Sequence, residues 1–343
     1  ELLGRDEPLT DDEMQKFTNF VMDLRYPPNP IRNLDNSLTA DQAAGKEFFM
    51  TDISTGLNGA DIITCERCHN LDPTIQQFGT DGTMAFEGFQ STQDNKVAHL
   101  RNMYTKVGKF GTDTSGIRTE HYGPQIKGFG FRHDGSVDTL SSFFGGDVFS
   151  VPDDMKPKLA DFMFAFDTGM APIVGQQITI TANSASADFN RLNLLVQRAA
   201  VTAPAVRKSI FDPKPECDLI AKGRVDGSMR GWFRTDNGSF LSDDGSSTSL
   251  AALKSQAQVP GQEITFTCTP PGSGMRMALD RDEDGSLDAN DRLLAGTYPV
   301  SIEHQNPNRA PIVIEAETAE EGNFLYENLL RQLNIFPRRP TDF

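Results

Sequence analysis

The chain has 343 residues, enough for roughly two to three domains that each bury a core. Apolar residues make up 37%, with 29 glycines and 20 prolines, which excludes fibrous and disordered classes and points to a loop-rich globular protein. A formal net charge of −16 disfavours nucleic acid and anionic membrane as partners, and no apolar run approaches the roughly 20 residues needed to cross a bilayer.

Met14, Phe17, Val21 and Leu24 recur at helical spacing behind Thr10-Asp11-Asp12-Glu13. This predicts an amphipathic helix over 9–25, stopped by Pro27-Pro28-Asn29-Pro30. Thr39 is placed to cap a second helix that runs through Ala43, Phe48 and Phe49. A loop with Gly56 and Gly59 then leads to Cys65-Glu66-Arg67-Cys68-His69. Two thiols at this spacing with a histidine directly after them form the attachment site of a c-type haem. Each thiol adds to one vinyl group of the porphyrin, and the imidazole is carried beneath the ring to bind iron. A redox CxxC pair or half of a zinc site would need a βαβ context or a further Cys or His pair at finger spacing, and neither is present.

From 70 to 135 the sequence is glycine-rich and poor in regular periodicity, as expected where backbone wraps a flat cofactor. Helices are predicted at about 136–145 and from Asp153 to Phe166, the second with Leu159, Phe162, Met163 and Phe166 on one side. After Pro172, Gln177-Ile178-Thr179-Ile180-Thr181 alternates as a strand, and Phe189, Leu192, Leu195, Val196 and Ala199 mark a helix. Asp226-Gly227 and Asn237-Gly238 predict hairpin turns between further short strands, and Glu263 to Thr267 alternates again. A last amphipathic helix is predicted at about 317–335.

The fold class this suggests is multidomain, α and α/β. An all-α haem domain over 31–175 is followed by a small disulfide-linked α/β domain with a calcium loop over 176–296. Residues 1–30 supply a helix and linker from a preceding domain, and 297–343 form a C-terminal extension with one helix. The opening at Glu1 is expected to be a processed or cut end of something longer. Haem is attached to thiols outside the cytoplasm, and Cys217 and Cys268 can pair in an oxidising compartment, so a periplasmic or extracellular location is expected.

Asp280 to Asp291 matches the twelve-residue calcium loop, with Asp280, Asp282, Asp284, Asp288 and Asp291 at positions 1, 3, 5, 9 and 12 and Gly285 at the turn. Ser286 would supply its carbonyl. Aspartate in place of glutamate at position 12 weakens bidentate closure. A single loop without two clear flanking helices suggests a structural Ca²⁺ clip rather than a sensor.

Three further segments carry a resemblance. Gly45-Lys46-Glu47-Phe48-Phe49, Leu100-Arg101-Asn102 and His133-Asp134-Gly135-Ser136-Val137-Asp138-Thr139-Leu140 stand around the CxxCH motif in the order found in bacterial dihaem cytochrome c peroxidases. Residues 39–166 resemble the haem domain of that family, and helix 9–25 is similar to the closing helix of a preceding cytochrome-type domain. The resemblance implies that Arg101 pairs with a haem propionate and that His133 sits at the haem edge. It departs from the family in two ways: there is one CxxCH, and Asp147 stands where relatives place an axial methionine. The distal ligand therefore rests on chemistry, with Met103 first, His133 second, then His121, Met155 or Lys109, or an open position. A thioether would raise the potential and a second imidazole would lower it.

The function expected is extracytoplasmic electron transfer through one haem c, to a redox partner protein or an adjacent haem domain. A peroxidase-like enzyme is the alternative, but no distal acid or base can be assigned, so no catalytic residue is named. Residues 176–296 could attach the redox module to a surface.

Overall fold

The computed structural model describes residues 8–57, 60–86, 94–108, 128–132, 135, 137–146, 148–201, 215–283, 285–290, 300–302 and 312–314. The chain divides into two compact units, residues 1–174 with 201–217 and residues 175–200 with 218–343.

In the first unit, α1 (Asp11–Asp23) starts at a reciprocal box in which the Thr10 hydroxyl accepts from the Glu13 N–H and the Glu13 carboxylate accepts from the Thr10 N–H. Its apolar side chains are not core: Phe17 is 57% and Phe20 63% exposed. The helix α2 (Ala40–Thr51) has the same kind of start, built by Thr39 and Gln42. Its Gly45 lies where a Cβ would come within 2.1 Å of the Lys158 carbonyl oxygen, so glycine is what lets another helix approach this closely. The hairpin strands β1 (Thr55–Leu57) and β2 (Ala60–Ile63) lead into α3 (Cys65–Cys68). Two more antiparallel pairs follow: β3 (Leu71–Asp72) with β4 (Gln77–Phe78), and β5 (Met84–Phe86) with β6 (Asp94–Lys96).

A five-residue α4 (Leu140–Phe144) and then α5 (Lys156–Phe164) close the unit. Both are shorter than the sequence predicts. Gly145 and Gly146 end the first, and a Pro152–Met155 turn ahead of Pro157 delays the second. The apolar face of α5 packs as expected: Leu159, Phe162, Met163 and Phe166 are buried, and the rings of Phe49, Phe162 and Phe166 meet in edge-on and tilted contacts at 5.4–6.0 Å. Asn29, itself buried, donates to the Phe164 and Phe166 carbonyls and anchors the segment after α1 to the end of α5.

The second unit opens with β7 (Gln177–Ile180) and α6 (Ser186–Ala199). The long strands β8 (Asp218–Val225) and β9 (Ser228–Arg234) follow, then β10 (Phe240–Ser242), β11 (Ser247–Thr248), α7 (Leu250–Ala257), β12 (Ile264–Thr269) and α8 (Gly274–Ala278). Six strands form one sheet in the order β11-β10-β9-β8-β12-β7, and every neighbouring pair is antiparallel. Asp226 and Gly227 both have positive φ at the β8–β9 turn, and Gly238 has positive φ at the β9–β10 turn, as the Asp-Gly and Asn-Gly signals predict. Leu192 and Leu195 of α6 and Leu253 and Ala257 of α7 are buried, as are Phe240, Ile264 and Phe266 of the sheet. Ala278 and Leu279, at the end of α8, pack with Ile220 and, more peripherally, Phe233 and Leu241. The strands β13 (Val300–Ile302) and β14 (Ile312–Ile314) pair with each other.

The expected fold class is overturned. The 31–175 region is not all-α, because three antiparallel pairs of strands interleave its short helices. The following region is not a small α/β domain, because its centre is a six-stranded antiparallel sheet. Tight turns such as Asp226-Gly227 reverse the chain within two residues, which leaves no room for the helical crossovers that would set those strands parallel. Cys217 and Cys268 are disulfide-bonded, as expected. Among the described residues no helix is long and apolar enough to cross a membrane. The helix predicted at 317–335 lies outside the described residues.

Candidate functional site

The Cys65-to-His69 segment is built as a single helical turn. Thr64 caps it, its hydroxyl accepting from the Arg67 N–H at 3.2 Å, and the His69 N–H donates to the Cys65 carbonyl at 2.9 Å. One turn places Cys65 and Cys68 on the same side, three residues apart, with His69 at the end. Both thiols are free. Cys65 packs against the apolar cluster that contains Phe48, Phe49 and Phe162, and burial, the largest influence, pushes its thiol pKa up. A reactive redox cysteine needs a depressed pKa, so this microenvironment disfavours the dithiol reading and suits an uncharged thioether.

The imidazole of His69 is oriented by two backbone carbonyls. Its Nδ1 lies 2.9 Å from the Gly79 oxygen and 3.1 Å from the Ala98 oxygen. Both partners can only accept, so Nδ1 carries the proton and Nε2 presents a lone pair. Burial, the largest influence, pushes the histidine pKa down and keeps the ring neutral. A neutral, oriented imidazole whose far nitrogen donates to a carbonyl is the arrangement a histidine needs to hold a metal. The Gly79 carbonyl is itself fixed: its residue has φ +90° and donates its N–H to the Asn70 oxygen at 2.7 Å.

Arg101 follows, three residues after Ala98, whose carbonyl meets His69. Its guanidinium carbon is 3.9 Å from the ring centroid of Tyr26 and 5.1 Å from that of Phe78. Its Nε is buried without a hydrogen-bond partner. Beside it the Tyr26 hydroxyl is 2.8 Å from His99 Nε2, and the Arg101 N–H donates to His99 Nδ1 at 3.2 Å. Burial first, then the charges of Arg101, Lys106 and Lys96, pushes the His99 pKa down to about 4. These residues fit a haem c: two free thiols on one turn, an imidazole whose Nε2 carries the lone pair, an apolar wall beside Cys65, and a buried arginine donor that a carboxylate would satisfy.

Met103 is buried in the apolar cluster, and Met155 packs at its margin. His133, His121, Lys109 and Asp147 lie outside the described residues.

The acidic loop after α8 is partly organised. The Gly285 N–H donates to Asp280 Oδ2 at 3.1 Å with Gly285 at φ +90°, while Asp280 Oδ1 is buried with no partner. Leu287 packs against the sheet, as an apolar residue at the eighth position should. Asp288 departs from expectation: its carboxylate accepts from the Arg281 N–H at 2.9 Å and from Arg281 Nε at 2.7 Å. Among the described residues no three acidic, histidine or cysteine side chains converge as a metal site. Asp282 and Ser286 are described, whereas Asp284 and Asp291 lie outside the described residues.

Sequence reasoning missed Tyr26, His99 and Gly79. Tyr26 and His99 are 73 residues apart, and no local pattern marks such a pair. No family model matches the chain, and no curated protein or solved structure matches it.

Proposed function

We propose that Cys65 and Cys68 hold a haem c through two thioether links, that His69 Nε2 is its proximal ligand, and that the chain carries electrons outside the cytoplasm. The observation that carries this reading is the pair of carbonyls on His69 Nδ1, which leaves Nε2 as the only basic nitrogen of a ring directly following two free thiols. When bound, the haem supplies one-electron chemistry. Arg101 supplies a donor to a propionate, the Phe48, Phe49 and Phe162 cluster keeps water from the Cys65 side, and His69 stays neutral through burial.

The test is the intact mass and the alkaline pyridine absorption spectrum of protein matured with haem-attachment machinery. The expected mass is that of the chain plus one haem, with thioether-type bands. A colourless protein at the mass of the bare chain overturns the proposal. An optical spectrum unchanged by cyanide or peroxide is expected of an electron carrier, and rapid ligand binding would instead favour the peroxidase-like alternative.

A second reading concerns the acidic loop. We propose that it takes one Ca²⁺ as a structural clip, because Gly285 aligns one oxygen of Asp280 and leaves the other buried and unsatisfied. Ca²⁺ should raise the melting temperature and a chelator should lower it. No shift with either would refute the clip.

A further inference from the structure

Tyr26 and His99 have no part in attaching a haem, yet three contacts join them to each other and to Arg101. The Arg101 N–H points at His99 Nδ1 at 3.2 Å. A backbone N–H can only donate, so Nδ1 accepts and the proton of the neutral ring sits on Nε2. That nitrogen faces the Tyr26 oxygen at 2.8 Å, so His99 donates and the phenol accepts. The hydroxyl proton of Tyr26 is therefore left for another acceptor. The Arg101 guanidinium stacks on the same phenol ring, 3.9 Å from its centroid, with its Nε–H buried and unmatched. Among the described residues no carboxylate pairs with Arg101. Two donors, one neutral and one cationic, thus belong to one stacked pair with no acceptor for either among the described residues, and a half-buried arginine without an anion is costly.

We infer that Tyr26 and Arg101 form a two-donor carboxylate site, with His99 as the positioning residue that fixes the tyrosine proton outward, and that its ligand is one propionate of the attached haem. This rests on the haem reading above. The chain links the site to the proximal ligand, because Ala98, whose carbonyl holds His69 Nδ1, directly precedes His99. Arg101 supplies charge and Tyr26 supplies direction.

Resonance Raman spectra and redox titrations of haem-loaded Tyr26→Phe, Arg101→Lys and Tyr104→Phe test this. Tyr104 is the control, since its hydroxyl lies 3.4 Å from Asn102 and outside the proposed site. The expected result is a shifted propionate bending band in the first two variants. Tyr26→Phe, which changes no charge, should also lower the midpoint potential, because a propionate with fewer donors is more negative and favours ferric iron. Tyr104→Phe should match wild type in both. An unmoved band in Tyr26→Phe, or in Arg101→Lys should the tyrosine variant not take up haem, overturns the inference. So does a free carboxylate such as acetate shifting the wild-type band, which would mean the site is open to solvent rather than filled by the haem. Wild-type protein without covalent haem defeats the parent reading instead, and this is seen before any variant is compared.

Discussion

Replacing Gly79 with alanine should loosen His69, the proposed proximal ligand, and the size of the effect can be worked from the backbone. Gly79 has φ +90°, and an alanine there costs about 1–2 kcal/mol for the left-handed conformation alone. The added Cβ would also lie 2.7 Å from the Leu100 backbone nitrogen and 2.6 Å from its Cγ. Leu100 is buried and its N–H is committed to the Phe78 oxygen at 3.0 Å, so this segment cannot simply retreat. Overpacking of this kind adds about 1–3 kcal/mol, for a total of about 2–5 kcal/mol. In a unit of this size that corresponds to a fall in melting temperature of about 5–15 °C. The relief available is a shift of the 79–80 peptide, which withdraws one of the two carbonyls from His69 Nδ1. A weaker Nδ1 bond makes the imidazole a poorer donor to iron and should raise the midpoint potential. Gly82→Ala separates strain from crowding, because Gly82 has φ +94° but its Cβ would meet only the Lys96 side-chain carbon at 3.8 Å. Thermal unfolding and redox titration of both variants provide the assay. Equal stability losses in the two, with an unchanged potential in Gly79→Ala, would refute the argument that Gly79 holds the ligand through its carbonyl.

Gly45→Ala should lower stability by about 2–4 kcal/mol in denaturant titration, since its Cβ would strike the Lys158 carbonyl at 2.1 Å and force α2 and α5 apart. Replacing both Cys217 and Cys268 with serine opens a loop of about 50 residues, and chain entropy sets the loss at about 4 kcal/mol as an upper figure. Equal denaturation midpoints with and without reductant would count against it. Arg230→Met should cost about 2–4 kcal/mol, because Arg230 Nε pairs at 2.7 Å with the buried Asp243. The neighbouring Asp244 is held well below the usual carboxylate range by Ser246 and Arg230. Its contribution is therefore full above its unfolded value near 4 and is lost as the pH falls below that, so the wild-type and Arg230→Met stability curves should draw together in acid. Parallel curves down to about pH 2 would show that the ion pair is not what Arg230 supplies. Asp280→Asn should abolish any rise in melting temperature on adding Ca²⁺ while leaving the haem absorption bands in place.

What could be read from the sequence was whatever is encoded within one turn or one hairpin. The caps at Thr10 and Thr39, the buried face of α5 and the reversals at Asp226-Gly227 and Asn237-Gly238 each depend on residues within a few positions of one another. The CxxCH motif belongs with them, because one helical turn is enough to bring two thiols and an imidazole together. Strands of two to four residues, such as β3 with β4, carry too few positions to show alternation, so in sequence the hairpins between 70 and 135 look like glycine-rich loop. The exposed face of α1 shows the converse limit, since helical spacing of Met14, Phe17 and Val21 fixes that a helix forms but not what covers it. The same separation runs through the site. The sequence names the group that would bind iron, but the carbonyls that orient it come from residues 79 and 98, and the phenol that meets Arg101 comes from residue 26. Local chemistry therefore carries the haem proposal, whereas long-range pairing would set how firmly such a group is held and at what potential, which is why Tyr26 and Gly79 are better places than the motif itself to test the proposal.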